Sequence, residues 1–309
     1  MKVLVTGGAG YVGSVLVPLL LADGHEVTVV DSLLFHQIGH IAHAGNRNFR
    51  FVLGDIRDER TMQPLVAGAD AIIHLAAIVG EPACRTSPDV ATSTNVGASE
   101  LINSLRSKEQ TLLFSSTGTT YGTVVGTCTE ETPLNPLSHY SETKVAGEKL
   151  FREKGGCIIF RFATGFGISP RLRLDVLPND FSYRAVHEKA LVVYEKDAKR
   201  TFIHVRDMAR AFVHALRNRD AMVGNVYNVG DGSLNLTKEA IVTKIKDRTN
   251  VYVHYAAIGK DPEKRDYEVS YERINAAGFK TSVSMDEGLD ELVAAFSMMR
   301  PSQPFGSIA

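Results

Sequence analysis

Hydrophobic and polar positions follow two rhythms along the chain. Through the first half, short runs rich in β-branched residues alternate with longer segments: "KVLVT" (residues 2–6), a helical spacing over 12–22, then "EVTVV" (26–30), "FRFVLG" (49–54), "AIIHLA" (71–76), "TLLFSS" (111–116) and "CIIFRF" (157–162). Strands that are apolar throughout, rather than at every second position, are buried on both faces, which requires a parallel sheet with helices on each side. The pattern predicts an α/β fold built on a doubly wound parallel sheet. After Thr164 the rhythm breaks at "GFGISPRLRLDVLPND" (165–180), punctuated by Pro and Gly. Strand-like "LVVY" (191–194), "RTFIHV" (200–205), "NVYNVG" (225–230) and "VYVHY" (251–255) follow, with helical segments over 205–216 and 237–246. We expect a first domain over residues 1–164 and a smaller mixed α/β region over 165–309, some of whose segments return to the first domain. That second region would fold against the C-terminal ends of the sheet strands, where open α/β sheets bind ligands.

Composition narrows the partners. A net charge of −1 and a pI near 6.8 give no electrostatic basis for binding nucleic acid or an anionic membrane surface. Any anionic ligand must be held by local groups. Cys84, Cys128 and Cys157 form no CxxC pair and are odd in number, which argues against a disulfide framework or a zinc site and fits a reducing cytosol. The apolar run "VLVPLLLA" (15–22) is about half the length of a membrane span and is interrupted by Pro18, and it lacks the flanks of a signal peptide. A cytoplasmic location is expected. His36, His40 and His43 have no carboxylate or cysteine partner nearby in sequence, so a solvated loop is expected there and no metal site.

"VLVTGGAGYVGSVL" (3–16) sets Gly7, Gly10 and Gly13 between a strand and a helix. Glycines here permit a tight turn, close approach of backbone to a pyrophosphate, and close packing of helix on strand, while the helix amino end supplies N–H donors. Asp31 ends the next strand about twenty residues on, where a carboxylate accepts hydrogen bonds from a ribose diol and repels a 2′-phosphate. The cofactor predicted is NAD rather than NADP. Tyr11, Val12 and Ser32 flank these positions and are assigned to the same site. Asp55 and Ile56 in "LGDIRD" fall where an adenine would sit, and Leu75, Ala76 and Ala77 in "HLAA" keep the end of the fourth strand small enough for close approach.

Tyr140 and Lys144 in "HYSETKVAGEKL" (139–150) lie four apart and share a helix face. An ammonium beside a phenol favours the phenolate, bringing a tyrosine down from about 10 towards neutrality, where it serves as a general base. Oxidising a carbinol needs one base and one hydrogen-bonding hydroxyl on the same oxygen. The hydroxyl-rich "FSSTGTTYG" (114–122) offers the second group.

With "TGGAGYVG", Asp31, "GDIRD", "HLAA", Asn95, "SSTGTTYG", "YSETK", "RTFIHVRDMARA" and "YNVG" in order, the chain resembles the extended short-chain dehydrogenase/reductase family over nearly its whole length, in particular the nucleotide-sugar 4-epimerases and their dehydratase, decarboxylase and dehydrogenase relatives. The resemblance implies a Rossmann fold, bound NAD, a nucleoside-diphosphate sugar as substrate and a homodimer. It makes Thr117 the catalytic hydroxyl, Tyr140 the base, and Lys144 both the modulator of Tyr140 and a nicotinamide-ribose ligand. Asn95 and Ser115 join the cofactor site. Arg200 falls on a pyrophosphate-binding arginine and Arg265 on a second one.

The dehydratase relatives follow the threonine with Asp and Glu, and the decarboxylases carry a Glu two places on. Here those places hold Gly118 and Thr119, so elimination lacks its acid and base. Epimerisation at C4 of the sugar is the leading expectation, with a 4-dehydrogenase or 4-ketoreductase second. The intact Thr117, Tyr140 and Lys144 argue against a non-catalytic NAD sensor. The substrate pocket departs from the epimerase pattern: Thr164 stands where an Asn is usual, and the following "RLRLDVLPNDF" is more basic and compact than in the UDP-galactose 4-epimerases, so Arg171, Arg173 and Asn179 belong to a differently shaped sugar or diphosphate pocket. Thr117, Thr164, Asn179, Arg200 and Arg265 are the expected substrate-binding residues.

Overall fold

The computed structural model describes residues 1–257 and 268–300; Arg265 lies outside the described residues. Its strands are β1 (Lys2–Thr6), β2 (Glu26–Asp31), β3 (Phe49–Leu53), β4 (Ala71–His74), β5 (Thr111–Thr117), β6 (Thr127–Cys128), β7 (Cys157–Phe162), β8 (Thr164–Phe166), β9 (Ala190–Tyr194), β10 (Lys199–His204), β11 (Val226–Val229), β12 (Asn235–Thr237), β13 (Tyr252–Ala256) and β14 (Glu268–Val269). Seven of them form one parallel sheet in the order β11-β7-β5-β4-β1-β2-β3. The chain winds outward from β1 to β3, then returns across β1 to β4, so the connections leave in opposite directions from β1 and β4. A crevice opens there at the carboxyl ends of the strands. The predicted Rossmann-type sheet is present, and β11 returns to it from the second half of the chain to pair with β7.

Both faces are covered, which is why β4 and β7 are buried at every position and not at every second one. Val3 and Val5 of β1 face α1 (Gly13–Ala22) through Leu16, Val17 and Leu20. Leu4 faces the opposite layer, made by α2 (Glu59–Ala67), α5 (Ala98–Leu105) and α6 (His139–Lys154) through Met62, Val66, Ile102 and Phe151. Two short helices, α3 (Glu81–Thr86) and α4 (Pro88–Thr92), follow β4, and a π-helical turn over Ser93–Gly97 joins α4 to α5.

The second half adds α7 (Leu177–His187), α8 (Val205–Arg217), α9 (Arg219–Met222), α10 (Lys238–Lys246), α11 (Glu272–Ala276) and α12 (Met285–Ser297). Phe212 and its neighbours on α8 join the core beside α1. A separate core gathers Phe166, Phe202, Phe181, Ile241, Leu289 and Phe296 from β8, β10, α7, α10 and α12. A three-stranded sheet, β12-β10-β8, brings Thr164 and Arg200 next to the end of β5. Among the described residues no helix is long and apolar enough to cross a membrane.

Candidate active site

The turn after β1 is tied down by its own backbone: Gly7 N–H donates to Val30 O (2.9 Å) and Gly10 N–H to Gly7 O (3.0 Å). Gly7 has φ +70°, and a Cβ there would lie 2.7 Å from both Cα and N of Ala76; at Gly13 it would lie 2.5 Å from Gly8 Cα. These two glycines allow the turn to nest against the end of β4 and α1 to start hard against the turn. No side chain caps α1 and no acid occupies its first turn, so its amino end is left to an external anion.

Asp31, 8% exposed, closes the end of β2. Its Oδ2 accepts from Ala9 N–H (3.0 Å), and Oδ1 from Leu33 N–H (2.9 Å) and Gln37 Nε2 (3.2 Å). Burial pushes this carboxyl up, while those backbone donors and the charges of His40 and Arg171 act against the shift. Ser32 is exposed beside it, Ile56 is buried, and Leu75, Ala76 and Ala77 are half-buried along the crevice. Asp55 is held by a two-pronged contact with Arg57, which keeps its carboxyl below the usual range. An uncapped helix end, a glycine turn against β4 and a carboxylate at the end of β2 together suit a dinucleotide. In the turn Gly39–His43, the His40 ring stacks on Phe51 and the His43 ring meets Phe49 edge-on.

The three residues expected to be catalytic lie where β5 meets α6. Thr117, 9% exposed, ends β5 and accepts Thr119 N–H (3.2 Å), which starts the turn Gly118–Tyr121. Ser138 and Ser141 cap α6 reciprocally, which sets Tyr140 in its first turn. There the Tyr140 N–H donates to the Glu81 carboxylate (3.3 Å). One turn on, Lys144 donates from Nζ to Ser115 O (2.9 Å), with the ammonium 5.9 Å from the Tyr140 ring centroid. Burial lowers Lys144 to about 8, partly offset by Cys84 and Glu148. Asn95, in the π-helical turn, accepts Ile78 N–H (2.8 Å) and donates to Ile78 O (3.0 Å) and Thr143 Oγ1 (3.1 Å). It clamps the loop after β4 to α6. His74 bridges Thr6 Oγ1 (2.7 Å) and Ser99 Oγ (3.1 Å), and burial drops it to about 3, so it stays neutral.

A buried polar network beneath Thr117 has no counterpart in the sequence reading. Arg161 and Glu148 are ion-paired, Ser116 Oγ donates to Glu148, Arg161 Nη1 donates to Tyr121 Oη (3.0 Å), and Tyr121 Oη donates to Asn228 (2.6 Å). The one available signal was the position of Glu148, four residues beyond Lys144.

Beyond Thr117 a small open cleft of about 30 Å³ is lined by Gly118, Thr119, Phe162, Ala163, Thr164, Lys199, Arg200 and Thr201. No carboxylate is among these residues, and the buried Thr119 Oγ1 has no hydrogen-bond partner. The structure thus brings Thr117, Thr164 and Arg200 together. Asn179 is elsewhere: fully buried, it accepts Gly167 N–H (2.9 Å) and donates to Arg173 O (2.8 Å). Arg171 lies over the Phe35 ring (4.1 Å) and Arg173 over the Tyr11 ring (5.8 Å), on the cofactor side of the site.

Known proteins are similar to this chain over most of its length. Residues 3–230 match the family model described as the NAD dependent epimerase/dehydratase family. The low-salt glycan biosynthesis protein Agl12 of Haloferax volcanii is 32% identical over 95% of this chain and 97% of its own. A UDP-glucose 4-epimerase of Halalkalibacterium halodurans is 32% identical, with 78% of each chain covered. The crystal structure of a dTDP-glucose 4,6-dehydratase from Streptomyces venezuelae, with NAD bound, superposes with a TM-score of 0.84 at 27% identity, covering 95% of this chain and 96% of that one. With the uncapped amino end of α1, Asp31 and the Thr117, Tyr140 and Lys144 cluster in place, the chain belongs to the NAD-dependent epimerase/dehydratase family of the extended short-chain dehydrogenase/reductase type.

Proposed function

We propose that the protein is a nucleotide-sugar 4-epimerase that uses NAD transiently. The observation that carries this reading is the cleft beside Thr117, whose lining holds hydroxyls and two cations, Lys199 and Arg200, and no carboxylate. Eliminating water from a keto-sugar requires a group that removes a proton from carbon and one that protonates the departing oxygen. Gly118 and Thr119 offer neither. The family relatives include both epimerases and dehydratases, and this difference in side-chain chemistry favours the former.

NAD supplies a reversible acceptor for the hydrogen at the sugar carbon. Tyr140 takes the proton of the 4-hydroxyl, and Thr117 hydrogen-bonds the same oxygen. Lys144, held by Ser115 O one turn from Tyr140, supplies positive charge that favours the phenolate when it is protonated. In the second half of the cycle Tyr140 returns the proton after the keto-sugar has presented its other face. Lys199 and Arg200 suit the diphosphate, and the unpartnered Thr119 Oγ1 suits a sugar hydroxyl.

Incubating the purified protein and NAD with UDP-, GDP-, dTDP- and CDP-sugars, followed by mass spectrometry and isomer-resolving chromatography, tests the reading. A new isomer of unchanged mass is expected. A product lighter by two hydrogens would instead identify a 4-dehydrogenase, and one lighter by water a dehydratase.

A further inference from the structure

Between β8 and α7, residues 167–175 cross from the second half of the chain over the cofactor side of the first. Their anchors follow one another along the crevice. Gly167 O accepts from Tyr11 Oη (2.8 Å), and Ser169 Oγ donates to Tyr11 O (2.7 Å), fixing the segment to the glycine-rich turn. Pro170 packs on Gly39, where its Cβ would stand 2.7 Å from any Cβ placed on that glycine. Arg171 stacks on Phe35 in the loop after β2, is 7% exposed, donates from Nη1 to Leu172 O (3.0 Å) and exchanges electrostatic influence with Asp31. Arg173, fastened to Asp175, lies over Tyr11 (5.8 Å). The segment therefore bridges the turn after β1 and the loop after β2.

We propose that residues 167–175 strap NAD into the crevice and that Arg171 holds a phosphate of its adenylate half. The inference rests on NAD at the glycine-rich turn and is independent of the reaction catalysed. A near-neutral chain must neutralise a pyrophosphate with local cations, and α1 contributes only the partial charge of its amino end. A guanidinium carries five N–H groups, so an arginine stacked on an aromatic ring can meet a phosphate edge-on as well as a backbone carbonyl. Nearly buried beside Asp31, Arg171 is a cation at the adenosine end of the crevice. A strap sewn to Tyr11 at two points would also slow cofactor exchange, as a cycle that returns its hydrogen to the same sugar requires.

Reduced nicotinamide fluoresces in its own excitation band, so release can be followed directly as bound NADH is chased with excess NAD. Arg171→Ala is expected to speed release about tenfold or more, the scale of one charge-assisted hydrogen bond, with Arg171→Lys intermediate; the packing lost on Phe35 lowers the melting temperature of the cofactor-free protein, and release is compared below it. Release within about twofold of the wild type would overturn the proposal. So would a weakening confined to NADPH, which would make Arg171 a 2′-phosphate site. If Arg171→Ala does not fold, Ser169→Ala tests the strap by removing one tie to Tyr11, and an unchanged release rate there counts against it. A wild type that takes up no NADH would fail at the cofactor itself, a result distinguishable from normal uptake with unaltered release in the variants.

Discussion

Glu148 and Arg161 meet beneath the active site with each side chain 2% exposed and Arg161 Nη2 2.7 Å from Glu148 Oε2. The pair braces the end of β5 through Ser116 and the turn after it through Tyr121. Removing one partner strands a buried charge, at a cost of about 3–5 kcal/mol. Glu148→Leu and Arg161→Met are each expected to destabilise the fold by that order, and the double variant by less than the sum. Chemical denaturation of the two singles and the double checks this.

Tyr140→Phe removes the phenolic hydroxyl and keeps the ring in the first turn of α6. Turnover of the sugar identified by mass spectrometry should fall about a hundredfold or more, the usual scale for general acid–base catalysis. NADH affinity should change little, because Lys144 and its bond to Ser115 O remain. Retained turnover would remove Tyr140 from the base role.

Lys144 and His74 give stability a pH dependence of one sign. Burial lowers Lys144 from 10.5 to about 8 and His74 from 6.5 to about 3, so between each pair of values the unfolded chain carries a proton that the folded chain lacks. Stability therefore rises with pH across both windows and is lost as pH falls through them. In Lys144→Met the rise between pH 8 and 10.5 should flatten; in a His74→Gln variant the loss between 6.5 and 3 should shrink. Melting temperatures across pH for cofactor-free protein report both.

Gly7→Ala sets a side chain at φ +70° with its Cβ 2.7 Å from the Ala76 backbone, which cannot rotate away. A loss of about 1–3 kcal/mol in stability is expected, together with weakened NADH binding. Gly232→Ala, with nothing within 4 Å of the added methyl, should stay within about 0.5 kcal/mol of the wild type. Paired thermal melts and NADH titrations compare them.

What the sequence disclosed was local. The glycine turn, Asp31 and the pair Tyr140 and Lys144 are set by spacing within one turn, one strand or one helix, so period and punctuation suffice to find them. Other contacts depend on how distant segments meet. Glu81 reaches the Tyr140 N–H across 59 residues, and Tyr121 reaches Asn228 across 107. Arg171 and Arg173 read from sequence as part of a sugar or diphosphate pocket because basic residues near a substrate loop suggest phosphate. Their stacking on Phe35 and Tyr11 follows from the path of the chain after β8, which no periodicity encodes. Asn179 shows the same limit: its polarity suggested a ligand contact, and its amide holds the Gly167 and Arg173 backbone.

The return of β11 to the edge of β7 constrains how such a protein can be recombined. A chimera joined once, at residue 164, would take its edge strand from the donor, and Val226 and Val229 would have to match a foreign neighbour. Exchanging only the stretch between β7 and β11 leaves that edge native and transfers β8, β10 and α7 as one insert, carrying Thr164, residues 167–175 and Arg200 with it. That insert leaves β12, α10 and α12 with the recipient, so both junctions fall across the second core, where the recipient's Ile241, Leu289 and Phe296 must fit the donor's Phe166, Phe181 and Phe202.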